Sequence, residues 1–408
     1  MRLRLTFPEK NINGKIRVTG SKSESNRLLL LKALYPNLEV TNLSNSDDTG
    51  VMLQGLEKER GTVDIHHAGT AMRFLTAYFA TQPEKEVVLT GSQRMKERPI
   101  AILVDALKSL GSDIQYMENE GYPPLRVRGT AITNPKVTMA ANVSSQYISA
   151  LLLIAPALEN GLELHLEGKI TSVPYIKMTL SLLNEIGVET DFHGGVIRVS
   201  PLRAAKARTL TVESDWSSAS YFYSLAAIAN QSSIELESYK SNSLQGDSVL
   251  QEIYPALGVS TSFDGHRLLL TCDGDGQPSE RLVLDLANAP DIAQTIAVSC
   301  FAKGVGCELT GLHTLKIKET DRLEALKTEL QKLGADIRVT NEALYLEPGG
   351  QIKTEVAIDT YNDHRMAMAF APLAVKVPLI INDAEVVSKS YPDFWTDMQA
   401  LGFHVESC

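Results

Sequence analysis

Residues 20–27, Gly-Ser-Lys-Ser-Glu-Ser-Asn-Arg, have the composition of an anion site and precede the apolar run 28–31. Gly20 lets the backbone turn, and serine hydroxyls can cap free N–H groups. A helix N-terminus adds partial positive charge beside Lys22 and Arg27. The segment therefore predicts a polar loop that feeds a helix and holds an anion. An ordinary capped helix with solvated charges has the same residues, and the segment matches neither the Walker A nor the dinucleotide fingerprint.

Residues 315–322, Leu-Lys-Ile-Lys-Glu-Thr-Asp-Arg, are the densest charged cluster and precede leucines at helical spacing. On one continuous helix, Lys318 and Arg322 would share a face, and Glu319 would extend the apolar stripe. A carboxylate that becomes partly buried, with cations nearby, is a candidate proton donor or acceptor. A surface ladder of salt bridges at a helix start is the alternative.

Two further basic segments are residues 94–99, Arg-Met-Lys-Glu-Arg-Pro, and residues 388–393, Ser-Lys-Ser-Tyr-Pro-Asp. The first is either a solvated turn or a fork for a carboxylate or phosphate. His66, His67 and His364 have no partner at metal-ligand spacing, so structural or exposed roles are expected for them.

A helix, glycine, strand pattern recurs and indicates the elements that must position these segments. An amphipathic stretch ends in a Leu-Gly or Ile-Gly step and runs into a β-like stretch, which is typical of glycine at a helix C′ position. The glycines lie 68 to 76 residues apart, at Gly111, Gly187, Gly258, Gly334 and Gly402. A weaker copy ends at Gly61. The chain is therefore predicted to be an array of about six α/β units.

Polar segments also precede the long apolar stretches that follow each unit. Each one alone could be a good helix cap. Because several carry Arg, Lys or Gln, we expect helix N-termini that converge on a shared anionic ligand. The segments are residues 20–27, 68–73, 143–146, 214–220, 288–291 and 362–365.

The bulk composition indicates a globular protein of two or three domains. The 408 residues are 44% apolar and 22% charged, with a net charge of -10, which argues against a nucleic-acid surface. No apolar run is long enough to span a membrane and no leader pattern is found, so a cytoplasmic protein is expected. The four cysteines lack C-x-x-C spacing, which favours reduced structural thiols over disulfides or a zinc site.

An ordered series of motifs across residues 20–393 resembles the 5-enolpyruvylshikimate-3-phosphate (EPSP) synthase family of enolpyruvyl transferases. The motifs are Gly-Ser-Lys-Ser-x-Ser-Asn-Arg, Ala-Gly-Thr-Ala-Met-Arg, Arg-Met-Lys-Glu-Arg-Pro, Ser-Ser-Gln, Ser-x-Pro-Tyr, Pro-Asp, Lys-Glu-Thr-Asp-Arg, Asp-His-Arg-Met-Ala-Met and Ser-Lys-x-x-Pro-Asp. One match alone would be weak, whereas this order is specific to the family.

The resemblance implies an α/β fold of two similar domains, each made of three inverse α/β repeat units and joined by a two-strand hinge. The first domain would comprise residues 1–19 and 214–408, and the second residues 20–213. It implies transfer of the enolpyruvyl group of phosphoenolpyruvate to the 5-hydroxyl of shikimate 3-phosphate, with release of phosphate through a tetrahedral intermediate. This reaction belongs to the shikimate pathway of aromatic amino-acid biosynthesis. It also implies a cytoplasmic monomer that closes around its substrates and uses no metal or organic cofactor.

The resemblance assigns roles to residues that match the family motifs. Asp291 would take the 5-hydroxyl proton, Glu319 would protonate the methylene carbon, and Lys22 and Lys389 would complete the catalytic set. Shikimate 3-phosphate would be bound by Lys22, Ser23, Arg27, Ser144, Ser145, Gln146, Ser172, Asp291, Thr314 and Lys318. Phosphoenolpyruvate would be bound by Lys22, Gly69, Arg98, Gln146, Arg322, Arg365 and Lys389.

Three positions depart from the family pattern. His67 replaces the usual Asn, Phe74 the usual Pro, and Thr314 the Asn that usually contacts the sugar-like ring. Imidazole differs from an amide in shape and can carry charge, so His67 bears on the phosphoenolpyruvate pocket. Gly69 is retained, which predicts room for the inhibitor glyphosate.

Two rival functions remain at this point. The sister transferase acting on UDP-N-acetylglucosamine has the same fold but uses a Lys-Asn pair in the first loop and a reactive cysteine in a mobile loop. Here the first loop reads Ser-Lys-Ser, and no cysteine lies in a basic turn. The other rival is a homologue that binds its ligands but no longer catalyses a reaction. The retention of the predicted catalytic residues argues against it; these are Lys22, Asp291, Glu319 and Lys389.

Overall fold

The computed structural model describes residues 1–9, 11–141, 144–168, 170, 173–274 and 280–408. The chain divides into two compact units. Unit 1 consists of Met1–Thr19 and Glu213–Cys408, and unit 2 of Gly20–Val212.

Strands and helices alternate along both units. The strands are β1 Leu3–Thr6, β2 Asn11–Ile16, β3 Leu38–Thr41, β4 Arg60–Asp64, β5 Glu86–Thr90, β6 Asp113–Tyr116, β7 Leu125–Arg128, β8 Lys136–Ala140, β9 Leu162–Glu167, β10 Thr190–His193, β11 Val196–Val199, β12 Arg208–Thr211, β13 Gln231–Glu237, β14 Ser260–Asp264, β15 Arg267–Cys272, β16 Arg281–Asp285, β17 Gly306–Thr310, β18 Ile337–Val339, β19 Leu344–Leu346, β20 Val356–Ile358, β21 Leu379–Ile381 and β22 His404–Ser407. The α-helices are α1 Lys22–Leu34, α2 Asp47–Leu56, α3 Gly69–Ala80, α4 Gln93–Lys96, α5 Ala101–Leu110, α6 Ser145–Ile154, α7 Val173–Glu185, α8 Trp216–Ile228, α9 Leu250–Ile253, α10 Ala293–Lys303, α11 Arg322–Leu333, α12 His364–Phe370 and α13 Phe394–Ala400. The 3-10 helices are Ala155–Ala157, Gly246–Val249, Tyr254–Leu257, Pro290–Ile292, His313–Ile317, Ala371–Val375 and Ala384–Lys389.

Among its described residues, unit 1 contains three four-stranded mixed sheets, ordered β14-β15-β13-β2, β16-β17-β19-β18 and β20-β21-β1-β22. Each sheet joins one parallel pair to antiparallel neighbours; the parallel pairs are β2 with β13, β16 with β17, and β20 with β21. In the first pair, Ile12 lies opposite Ser232. Around these sheets, the helices bury apolar faces in one continuous core.

Unit 2 contains sheets ordered β4-β5-β7-β6 and β10-β11-β9-β8, and a parallel pair of β12 with β3. The two larger sheets repeat the mixed pattern of unit 1, with β4 parallel to β5 and β8 parallel to β9. In the first of these pairs, Val63 lies opposite Leu89.

The central helices are buried because their sequences are apolar on nearly all sides. Every residue of α3 in unit 2 is buried, and α3 packs against α6. In unit 1, α8 is buried along almost its whole length and packs against α10.

The five predicted glycines do adopt left-handed backbone conformations between a helical segment and a strand. Their φ angles run from +87° to +109°, at Gly111, Gly187, Gly258, Gly334 and Gly402. The prediction of helix, glycine and strand is confirmed at all five positions. The weaker copy differs, because Gly61 lies within β4 and the residue after α2 is Glu57.

Helices begin at the predicted polar segments, but earlier than the hydrophobic pattern suggests. Helix α1 starts at Lys22, so Ser23 and Arg27 are helical and not in a loop. Ser21 precedes α1 without a capping side-chain bond, whereas Ser144 accepts one from Gln146 N. The N–H groups of the first helical turn have no partner within the helix, so polar side chains that can bond to them are favoured there.

One helix starts later than predicted. Asp321 caps α11 by accepting hydrogen bonds from the backbone N–H groups of Leu323 and Glu324. The helix therefore begins at Arg322, and Lys318 and Glu319 lie in the preceding bend. The predicted helical face shared by Lys318 and Arg322 is wrong, because this cap sets the helix boundary.

Candidate active site

Arg322, the first residue of α11, binds three carboxylates in unit 1. Its side chain is 2% exposed. Its Nε lies 2.6 Å from Asp363 Oδ2, Nη1 lies 2.9 Å from Asp291 Oδ1, and Nη2 lies 2.7 Å from Glu319 Oε2. Burial lowers the pKa of a guanidinium, but here the carboxylates outweigh burial and raise the pKa of Arg322. Arg322 thus brings the two predicted proton-transfer residues, Asp291 and Glu319, to one group.

Asp291 lies in the 3-10 helix Pro290–Ile292 and is surrounded by cations. Its oxygens lie 2.9 Å from Arg322, 3.2 Å from Arg365 and 3.4 Å from Lys318. Burial favours the neutral acid, but the three positive charges overcome it and hold the pKa of Asp291 well below its usual range. The surrounding cations therefore favour the ionised form of Asp291.

Arg365 is held at the start of α12 by the cap of that helix. Asp363 Oδ1 accepts a hydrogen bond from Arg365 N at 2.9 Å. The Arg365 guanidinium donates to the Asp291 side chain and, over 3.3 Å, to Ser217 Oγ. Although burial opposes it, the negative charge of Asp291 raises the pKa of Arg365.

Lys389 ends the 3-10 helix Ala384–Lys389, and its Nζ donates to the backbone oxygen of Asn362 over 2.6 Å. This bond places the predicted basic segment 388–393 next to the segment that contains Asp363. Thr314 lies in the 3-10 helix His313–Ile317 of the same unit, and its Oγ1 has no hydrogen-bond partner among the described residues.

Asp247 and Ser217 extend this cluster. Ser217 belongs to the predicted polar segment 214–220, but neither residue was predicted individually as a site residue. Ser217 Oγ donates a short hydrogen bond to Asp247, which is 3% exposed. Burial, assisted by the negative charge of Asp291, raises the pKa of Asp247 to about 6. The sequence Gln-Gly-Asp that contains Asp247 gives no signal of this burial, because the burial arises from tertiary packing.

Lys22 of unit 2 is paired with Asp48, a carboxylate that the sequence reasoning missed. Lys22 Nζ lies 3.2 Å from Asp48 Oδ2, and His67 Nε2 lies 3.8 Å from Asp48 Oδ1. Asp48 is 5% exposed and lies in the first turn of α2. The structure thus places the unusual His67 beside the partner of a predicted catalytic lysine.

Gly69, the first residue of α3, lies under the guanidinium of Arg98. A Cβ added at Gly69 would be 2.8 Å from Arg98 Nη1, which is closer than carbon and nitrogen approach without repulsion. Arg73 and the Tyr147 hydroxyl both donate to the backbone oxygen of Pro99, which fixes the chain next to Arg98. Gly69 and Arg98 are therefore close neighbours in unit 2.

The start of α6 faces the same part of unit 2. Gln146 Nε2 donates to Thr70 Oγ1 over 3.1 Å, which links α6 to the first turn of α3. Ser145 is the buried first residue of α6, and the Ser144 hydroxyl caps it. Ser172, another predicted ligand, lies outside the described residues.

Arg27 is buried rather than presented at a surface. It donates to Ser23 O, Thr179 Oγ1 and Ser149 Oγ over 2.7 to 2.8 Å. Its guanidinium carbon lies 5.5 Å from the centroid of the Phe74 ring, and burial lowers its pKa to about 10. Phe74, which replaces the usual family Pro, therefore forms one wall around Arg27.

Over the part of the chain that the structure describes, no helix is both long and apolar enough to cross a membrane. The same residues contain no group of three or more His, Cys, Asp or Glu side chains arranged to hold a metal ion.

Fold and site together define a mixed α/β protein whose buried cations and carboxylates suit group transfer between anionic small molecules. A family model described as EPSP synthase (3-phosphoshikimate 1-carboxyvinyltransferase) matches residues 57–398. The chain belongs to this family. The family and the enzyme class predicted from the motifs are thereby confirmed.

Similar proteins cover all or nearly all of the chain. A 3-phosphoshikimate 1-carboxyvinyltransferase from Bacteroides fragilis is 46% identical, covering 100% of this chain and 99% of its own length. One from Vibrio campbellii is 37% identical, covering 97% and 98%. The solved structure of EPSP synthase from Acinetobacter baumannii matches with a TM-score of 0.81 and 21% identity over 100% of both chains, a likeness of fold.

Proposed function

We propose that this chain transfers the enolpyruvyl group of phosphoenolpyruvate to the 5-hydroxyl of shikimate 3-phosphate and releases phosphate. Membership in the EPSP synthase family, and full-length relatives named 3-phosphoshikimate 1-carboxyvinyltransferase, support this reaction. The observation that carries it here is the Arg322 guanidinium, which holds Asp291 and Glu319 as two separate carboxylates. Addition and elimination require two groups that move protons at different atoms, and this pair supplies them.

In the proposed addition step, the 5-hydroxyl oxygen bonds to the central carbon of phosphoenolpyruvate. Asp291 takes the hydroxyl proton, and Glu319 gives a proton to the methylene carbon, which becomes a methyl group. In the elimination step the methyl group returns a proton, the bond to the phosphate oxygen breaks, and phosphate leaves. Lys22, Lys389 and the arginines offset the negative charge of the intermediate.

The cations around Asp291 suggest how substrate binding activates this base. A carboxylate with a strongly lowered pKa is a weak proton acceptor. Phosphoenolpyruvate would compete with Asp291 for Arg322 and Arg365, its proposed ligands. Weaker pairing to Asp291 would then raise its basicity when the substrate is present.

The substrate ligands are proposed separately for each unit. In unit 1, Asp291, Thr314 and Lys318 bind shikimate 3-phosphate, and Arg322, Arg365 and Lys389 bind phosphoenolpyruvate. Unit 2 supplies the remainder. There, shikimate 3-phosphate is bound by Lys22, Ser23, Arg27, Ser144, Ser145, Gln146 and Ser172, and phosphoenolpyruvate by Lys22, Gly69, Arg98 and Gln146.

We further propose that the two compact units are the two domains, and that each consists of three inverse α/β units. The mixed sheets, each with one parallel pair, support this division in unit 1. The compact units change at Glu213, one residue before the predicted boundary of 214. That the protein is monomeric and cytoplasmic remains a prediction.

The test is phosphate release when the chain is supplied with phosphoenolpyruvate and shikimate 3-phosphate. Release with this pair, and none when UDP-N-acetylglucosamine replaces shikimate 3-phosphate, supports the proposal. Release only with UDP-N-acetylglucosamine would assign the sister reaction. Binding of both shikimate-pathway substrates without release would make the chain a binding homologue.

A further inference from the structure

A strained turn lies immediately before Asp363 in unit 1. Tyr361 and Asn362 have φ angles of +54° and +57°, and Asp363 N donates to Thr360 O over 2.8 Å. Positive φ at both central residues is the pattern of a type I′ turn. Asparagine tolerates this conformation, whereas tyrosine rarely adopts it. Something outside the turn must therefore hold Tyr361.

A buried carboxylate of α11 provides that restraint. The Tyr361 hydroxyl donates to Glu329 Oε1 over 2.6 Å, and the Glu329 side chain is 0% exposed. Glu329 Oε2 accepts from Asp359 N and pairs with Lys332 Nζ at 2.8 Å. Both carboxylate oxygens of Glu329 are therefore bonded, and Oε1 is bonded to Tyr361 of the turn.

The turn sets the positions of two groups, the carbonyl of Asn362 and the side chain of Asp363. The carbonyl of Asn362 accepts the hydrogen bond from Lys389 Nζ, and Asp363 binds Arg322 and caps α12. A turn that relaxed to negative φ would redirect the Asn362 carbonyl and shift Asp363.

We propose that Tyr361 and Glu329 are positioning residues, which act through the turn on Lys389 and Arg322. The proposal rests on the proposed function, in which Lys389 and Arg322 bind phosphoenolpyruvate. Tyr361 itself is 38% exposed and needs no contact with substrate. Its hydroxyl, not its ring, is the part that acts.

The first test compares Tyr361→Phe with Tyr361→Gly. Phenylalanine keeps the ring and loses the tether, so kcat/KM for phosphoenolpyruvate should fall about tenfold while KM for shikimate 3-phosphate stays within about twofold. Glycine adopts positive φ without steric cost, so Tyr361→Gly should retain more activity than Tyr361→Phe. Tyr345→Phe, on β19 of the same unit, is the matched control and should leave both constants unchanged.

Three outcomes would overturn the proposal. A Tyr361→Phe enzyme with wild-type constants would show that the tether is dispensable. A Tyr361→Gly enzyme less active than Tyr361→Phe would show that the side chain acts for itself. Equal rises in both KM values, with a matching loss of thermal stability, would mean a merely structural role.

A second measurement does not depend on turnover. Lysines are reductively methylated with ¹³C-formaldehyde, and the Lys389 resonance is identified by its loss in Lys389→Arg. Tyr361→Phe and Glu329→Gln should each shift this resonance in the ligand-free protein, whereas Tyr345→Phe should not. An unmoved Lys389 signal contradicts the inference even if the wild-type chain releases no phosphate, so this failure is distinct from failure of the proposed reaction.

Discussion

Arg322 Nη1 donates a hydrogen bond to Asp291 Oδ1 over 2.9 Å. The same guanidinium reaches Asp363 and Glu319 through its other nitrogens. A lysine ammonium is a single charged point and cannot reproduce this planar, three-way geometry. The two proposed proton-transfer groups are therefore held in place by one side chain that only arginine can supply.

Arg322→Lys should lower kcat/KM for phosphoenolpyruvate by on the order of 100-fold, because a buried carboxylate loses its partner and the substrate loses a ligand. Steady-state kinetics and a thermal melt on the same preparation would measure both effects. Arg338→Lys, at an exposed position of β18, is the control and should match the wild type. Wild-type kinetics in Arg322→Lys would contradict this role.

Glu319→Gln should lower kcat by on the order of 1000-fold, since the amide cannot donate the proton that protonates the methylene carbon. The amide oxygen can still accept from Arg322, so shikimate 3-phosphate should bind with nearly unchanged affinity in calorimetry. Glu324→Gln, at an exposed position in the first turn of α11, provides the comparison. Loss of shikimate 3-phosphate binding in Glu319→Gln would instead give Glu319 a structural role.

Gly69→Ala should raise KM for phosphoenolpyruvate about tenfold with little change in kcat, because the new methyl group displaces the guanidinium of Arg98. The wild-type enzyme should be inhibited by glyphosate, and Gly69→Ala should be less sensitive. Gly50→Ala, where a Cβ meets no atom within 4 Å, should leave KM and inhibition unaltered. An unchanged wild-type rate at high glyphosate would refute the predicted sensitivity.

Local sequence signals predicted the polar segments at which most of the helices begin, α11 excepted, and the five helix, glycine, strand steps. These features depend on a few neighbouring residues: Gly at a C′ position needs only its own positive φ, as at Gly334. Pro290 likewise starts its 3-10 helix as its fixed φ predicts. The family motifs carried the remaining assignments.

Contacts between residues distant in sequence could not be predicted in this way. Asp48 lies 26 positions from Lys22, and no local pattern marks it as the partner of that lysine. The motif predicted Arg27 as an anion ligand, but its burial beside Phe74 and its hydrogen bonds to Thr179 and Ser149 could not be predicted from local sequence. The Asp321 cap also decided that Glu319 lies outside α11, which hydrophobic periodicity alone could not reveal.

Asp247→Asn should stabilise the folded protein at pH 8 more than at pH 5. Burial raises the pKa of Asp247 from 3.8 to about 6, so between these values the folded protein keeps a proton that the unfolded chain has released. The free energy of unfolding therefore decreases as pH rises through this window, and the full penalty of a buried charge is present above about pH 6. Because asparagine cannot ionise, the substitution should raise the free energy of unfolding above pH 6 by at most about 3 kcal/mol.

Urea unfolding of the wild type and Asp247→Asn at both pH values would measure this difference. Asp264→Asn, at an exposed position of β14 where the carboxylate pairs with Arg267, controls for loss of a carboxylate at the surface. Because Ser217 can still donate to the amide oxygen of asparagine, the substitution removes the charge while keeping the hydrogen bond. Equal stabilisation at pH 5 and pH 8 would therefore mean that packing, and not ionisation, sets the cost of Asp247.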